Sequence, residues 1–177
     1  MMTTTEPSIA RVNKGLGALD PAAIAEISKD LRQVLADVFA LYVKTKGFHW
    51  HITGRHFRDY HLMLDEQAEQ IFAMTDDIAE RARKIGGTTL HSIADIAQHK
   101  RLSDKVDCVS AESMLSALAA DNTQLLACLR RSHELCTHNK DVATTSLIEV
   151  WIDQTERRVW FLNATLASNQ TYTAASE

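Results

Sequence analysis

The run FRDYHLMLDEQAEQIFAMTDDIAERARKIGG, residues 57–87, places Phe57, Tyr60, Leu64, Ala68, Ile71, Thr75, Ile78, Ala82 and Ile85 three or four positions apart. A repeat of about 3.5 residues held over so many turns marks a helix that buries one stripe against other helices. Gly86 and Gly87 supply its stop, because glycine enters the left-handed backbone region that ends helices without a Cβ clash. Upstream, Gly54 in HITGRH interrupts the pattern, and before it a second periodic run carries Ile24, Ile27, Leu31, Val34, Val38 and Leu41. Asp20 as N-cap and Pro21 at the first helical position open that run. Helices are therefore predicted over about 21–50 and about 57–85.

All six glycines lie at or before Gly87 and both prolines at or before Pro21, so the rest of the chain is read by apolar periodicity alone. A third helix is predicted around Leu115, Leu118, Leu125, Leu129 and Cys136, and a fourth around Ile148, Ile152, Val159, Leu162 and Leu166. A short polar link at Asn139 to Asp141 joins them, and short links make antiparallel neighbours. About two dozen residues separate the second and third helices, with a weak amphipathic patch at Leu90, Ile93 and Ile96. At about 3.3 Å per residue such a connection can run back along a helix. The expected fold is all-α: a ferritin-like four-helix bundle with a long crossover carrying a short helix. The bundle is expected over 20–167, flanked by mobile tails at 1–19 and 168–177.

Composition narrows the function classes. With 177 residues, 45% hydrophobic and 24% charged, the chain is too apolar for disorder, and its 6 Gly and 2 Pro are too few for a sandwich or barrel. A net charge of −4 excludes a nucleic-acid surface spread over the whole domain. Cys108, Cys128 and Cys136 are odd in number and form no CxxC pair, which points to a reducing compartment. The N-terminal stretch has no apolar core of a signal peptide, and no apolar run approaches the roughly 20 residues that span a bilayer. A cytoplasmic address without membrane contact is expected.

The chemistry lies in the spacing of histidines and carboxylates. His61 and Asp65 are i, i+4, as are Asp76 and Glu80, so each pair projects from one helical face in a geometry suited to holding one metal ion. His49 ends the first helix just across the turn. Imidazole with carboxylate suits iron, manganese or zinc, whereas an all-oxygen set suits calcium or magnesium. At about 1.5 Å per residue, His61 and Asp76 stand roughly 22 Å apart along one helix, so the pairs are half-sites. They also turn some 70° to 170° away from the core stripe, on an arc that presents Leu62, Phe72, Ala73 and Ala79. A two-fold partner laying the same helix antiparallel would cover that strip. It would also bring His61 and Asp65 of one chain beside Asp76 and Glu80 of the other, giving two equivalent inter-subunit sites. The Glu-x-x-His motif of intra-bundle di-iron centres is missing from the sequence, which agrees with a site located elsewhere.

The segments GFHWHITG (47–54), HFRDYHLMLDE (56–66) and AMTDDIAERARKIGG (73–87) resemble the signature of the Dps proteins, the mini-ferritins named as DNA-binding proteins from starved cells. The resemblance runs from the first helix to VWFLNATL near the C-terminus. It implies two-fold dimers assembled into a hollow dodecamer that oxidises Fe(II), preferably with hydrogen peroxide over oxygen, and stores the ferric product. It also implies that His49, His61 and Asp65 come from one subunit and Asp76 and Glu80 from its mate, with two irons per site and Glu80 bridging them. Zinc or manganese is the alternative occupant. Trp50 matches the family's tryptophan beside the centre and would take up a stray oxidising equivalent. Asp141, Glu149 and Asp153 resemble carboxylates that line an iron-entry pore. DNA-binding members use a lysine-rich N-terminal tail, whereas here only Arg11 and Lys14 stand there, so any nonspecific DNA contact is expected to be weak.

Two other readings compete. One is a nucleoid-coating, DNA-binding shell with little ferroxidase activity. The other is a structural oligomer that holds zinc permanently and does no redox chemistry.

Overall fold

The computed structural model describes residues 19–103 and 110–173, with side chains to residue 167. Arg11, Lys14 and Cys108, named above, lie outside the described residues, as does nearly all of the expected N-terminal tail. Five helices follow in order: α1 (Pro21–His51), α2 (Phe57–Lys84), α3 (Ile93–His99), α4 (Ala111–His138) and α5 (Val142–Thr173). Among the described residues there is no strand, and no helix is long and apolar enough to cross a membrane.

The four long helices form the bundle, with α1 against α2 and α4, and α5 against α4 and α2. The helix ends are fixed by local chemistry. The Asp20 side chain accepts from the Ala22 amide at 2.8 Å, and Pro21, which has no amide hydrogen, fills the first position of α1. After α2 the Gly87 amide donates to the Ala82 carbonyl and the Gly86 amide to Arg83, with Gly86 at φ 98°, the closing pattern of a Schellman motif. The predicted periodic residues of α1 and α2 supply most of one side of the core, and Leu115, Leu118, Leu125, Leu129, Cys136, Ile148 and Leu162 close it from the other. Helix α5 continues to Thr173, so residues 168–173, expected in the tail, are helical.

The crossover is held to the bundle by two buried charges that sequence periodicity does not flag. Asp37, fully buried on α1, accepts from the Arg101 and Leu102 amides and from the Arg101 guanidinium. Lys44 pairs with Asp121 of α4 at 2.6 Å and donates to the Ser103 carbonyl. Removing either acid would orphan buried donors, which is costlier than the net worth of the bonds themselves.

Candidate metal centre

The tight turn after α1 brings its last helical turn against the second turn of α2. Ile52 is buried beneath the turn, Gly54 adopts φ 112°, and the Phe57 amide closes onto the Gly54 carbonyl at 3.1 Å. His49 and His61 consequently face each other. Nδ1 of His49 donates to the His61 carbonyl at 2.8 Å, and Nδ1 of His61 donates to the His49 carbonyl at 2.9 Å. A carbonyl oxygen only accepts, so each Nδ1 carries the hydrogen and Nε2 is left as the atom through which either ring could ligate a metal. The rings stack with centroids 3.8 Å apart and planes 22° from parallel.

Asp65, one turn beyond His61, places Oδ1 3.8 Å from His49 Nε2. The same oxygen accepts from Lys46 Nζ at 2.6 Å. The Lys46 hydrogen bond holds the Asp65 carboxyl below its ordinary range, and the nearby Lys46, His49 and His61 act in the same direction. Lys46 was not among the residues predicted from sequence. The signal was present, since Lys46 and His49 are i, i+3 and share a face of α1.

Asp76 and Glu80 stand further along α2, exposed to solvent, and Glu80 is tied to Lys84 at 2.8 Å, which lowers its carboxyl. Asp65 and Asp76 are about 16 Å apart at the helical rise per residue. The structure thus gathers His49, His61 and Asp65 and leaves Asp76 and Glu80 apart from them within one chain. Among the described residues, no three His, Cys, Asp or Glu side chains converge as a metal site. Along this stretch of α2, Leu62, Phe72 and Ala73 are exposed, while Ala79 packs partly against the core.

The remaining predicted residues divide by environment. Trp50, next to His49, is 65% exposed on the outer face of α1. Glu149 and Asp153 are exposed on α5, with Glu149 3.1 Å from His133 Nε2. Asp141 has a structural role: it is buried, accepts from the Thr144 amide at the start of α5, and pairs with Arg81.

Comparison with known proteins gives a consistent picture. Residues 28–170 match the model of a ferritin-like domain. The DNA protection during starvation protein 1 of Deinococcus radiodurans is 29% identical over 147 residues, covering 82% of this chain and 71% of that protein. A low temperature-induced protein of Nostoc sp. is 31% identical over 156 residues, covering 87% of this chain and 86% of its own length. Among solved structures, the Dps protein of Vibrio cholerae superposes with a TM-score of 0.80 at 27% identity, over 84% of this chain and 93% of that one. That protein is described as a member of a broad superfamily of ferritin-like diiron-carboxylate proteins.

Proposed function

The chain belongs to the Dps family of ferritin-like proteins, and on that premise we propose that it oxidises Fe(II) at sites shared between two-fold-related subunits and stores the ferric product in a hollow dodecameric shell. Membership supports iron storage and DNA protection as the function class. Hydrogen peroxide as preferred oxidant and the cytoplasm as the working compartment belong to the proposal.

One observation carries it: the reciprocal Nδ1 to carbonyl bonds of His49 and His61 leave the Nε2 atoms of two stacked imidazoles for a metal, that of His49 3.8 Å from the Asp65 carboxylate. Two imidazole nitrogens and a carboxylate oxygen suit Fe(II) as substrate and are a poor match for calcium. Asp76 and Glu80 of the two-fold mate would complete the donor set, with Glu80 shared between two ions, and the added carboxylates balance cationic charge. Two Fe(II) ions there each give one electron to a hydrogen peroxide molecule, which takes up two protons and leaves as two waters without releasing a hydroxyl radical.

The protein's own tasks are positional. The backbone carbonyl of each histidine fixes the ring orientation of the other, so both imidazoles are oriented before a metal arrives. Lys46 keeps Asp65 ionised and in place through their 2.6 Å ion pair. Trp50, next in sequence to His49, would take up a stray oxidising equivalent. Glu149 and Asp153, both exposed, would draw Fe(II) toward a pore, while Asp141 is committed to Arg81 and Thr144. Protection of DNA follows from removing iron and peroxide and requires no tight DNA contact.

The test is anaerobic Fe(II) loading followed by peroxide, read by ferric absorbance. Wild type is expected to give a fast rise. The variant with His61→Ala and Asp65→Ala is expected to be slowed at least about tenfold while light scattering reports an intact shell. Unchanged kinetics in that variant would sink the ligand assignment. A silent wild type would favour the zinc-locked oligomer.

A further inference from the structure

Deep in the bundle, away from the histidines, α5 buries a whole guanidinium. Arg158 is 1% exposed, and its hydrogen bonds go to neutral groups: Asn122 Oδ1 at 2.9 Å, Thr155 Oγ1 at 2.7 Å and Met74 Sδ at 3.9 Å. No carboxylate forms an ion pair with it among the described residues, and its Nη1 has no hydrogen-bond partner. Elsewhere among the described residues, buried Lys44 pairs with Asp121 and buried Asp37 with Arg101. An isolated cation in a low-dielectric interior is costly unless an opposite charge accompanies it.

A second unpartnered atom lies in the same place. Gln67 of α2 is buried, and its Oε1 is also without a partner. Arg158 and Gln67 both line a cavity of about 20 Å³ between α2 and α5, together with Met63, Gln70 and Phe161. Arg157 and Glu66 stand on its exposed rim with opposite charges. The cavity opens to solvent past Arg157 and Glu66, and its innermost space has room for about one particle the size of a water molecule.

We propose that the inner end of this cavity is a site for a monatomic anion of chloride size, held by Arg158 Nη1 and by the carboxamide of Gln67. A half-turn of that carboxamide presents its NH₂ in place of its oxygen, so both walls donate to the anion. A water molecule would satisfy the two orphaned atoms but leave the guanidinium charge uncompensated; a halide does both. Burial pushes Arg158 down to about 10, which still leaves it protonated at neutral pH.

The test pairs crystallography with unfolding of the assembled protein. Crystals soaked in bromide are expected to show an anomalous peak between Arg158 and Gln67. In solution the thermal midpoint is expected to be about 2–4 °C higher in sodium chloride than in sodium gluconate at equal ionic strength. That difference should vanish in Arg158→Met, and in Gln67→Leu if the first variant fails to fold. A chloride effect that survives in the variants, or the lack of any anion effect, would overturn the proposal. So would a peak with no effect in solution, which would be binding at crystal concentration only. A drop in the midpoint of Glu66→Gln that is the same in both salts, with no bromide peak, would make Glu66 the counter-ion and also overturn it.

Discussion

Asp30 and Asp65 are pushed in opposite directions by their surroundings, and the difference has a measurable consequence. Asp65 is lowered chiefly by the Lys46 hydrogen bond, whereas Asp30 is raised chiefly by burial, against the pull of the Ser132 hydrogen bond and the charges of Arg101 and Arg131. The Asp30 Oδ2 is buried with no partner among the described residues. A carboxyl raised on folding binds its proton more tightly in the folded state. Its contribution to stability therefore falls as pH rises from the unfolded value, about 4, through the higher folded one, and is constant above that. Asp30→Asn removes the ionisation while keeping the shape. The variant is expected to be more stable than wild type at neutral pH, and denaturant midpoints compared pairwise should show the advantage shrinking as the pH is lowered toward 4. A gap that stays the same at every pH would mean that the ionisation of Asp30 is uncoupled from folding.

At the scale of elements, two helix ends obey one rule with different residues. Both α2 and α4 close with the paired carbonyl bonds of a Schellman motif, but the left-handed position is Gly86 in the first and Lys140, at φ 58°, in the second. A side chain there costs about 1 kcal/mol, so Lys140→Gly is expected to stabilise the bundle by up to about that amount in chemical denaturation. Gly87 is constrained by packing: a Cβ at this position would lie 1.7 Å from Ser28 Oγ of α1. Gly87→Ala should therefore cost about 1–3 kcal/mol in the same measurement. These ends explain why the first two helices could be placed from sequence to within a residue, since Asp20, Pro21, Gly54 and the Gly86–Gly87 pair punctuate them chemically. The end of α5 carries no such stop, and the helix outruns the boundary set by Leu166. Periodicity also reads only apolar contacts. It therefore passed over Asp37, Lys44 and Arg158, whose burial depends on partners from distant segments, and over Lys46, which acts through Asp65. The pairing of His61 with Asp65 and of Asp76 with Glu80 on one helix was legible because i, i+4 geometry is local to that helix. The reciprocal histidine bonds were not, because they need two helices in register.

The whole molecule follows from what α2 leaves unfinished. On the proposed reading, His61 and Asp65 near one end, Asp76 and Glu80 near the other, and the exposed Leu62 and Phe72 on the same helix make a face that a second copy laid antiparallel would complete. If sites are shared in that way, damage at either half should be repairable by mixing subunits. Shells of the variant with His61→Ala and Asp65→Ala are expected to be nearly inactive, and so are shells with Asp76→Ala and Glu80→Ala. When both chains are co-assembled in equal amounts, about half of the dimers pair one of each. In such a dimer one site collects all four substitutions, while the other collects none, so about a quarter of all sites are intact. Peroxide-driven ferroxidation of the mixture should therefore recover to about a quarter of the wild-type rate. A centre built within single chains would give no recovery at any mixing ratio, because every chain would carry its own defect. The ratio dependence is equally specific: activity should follow the product of the two chain fractions, with its maximum at equal amounts. That curve separates a shared centre from partial activity in either variant, which would vary linearly with composition.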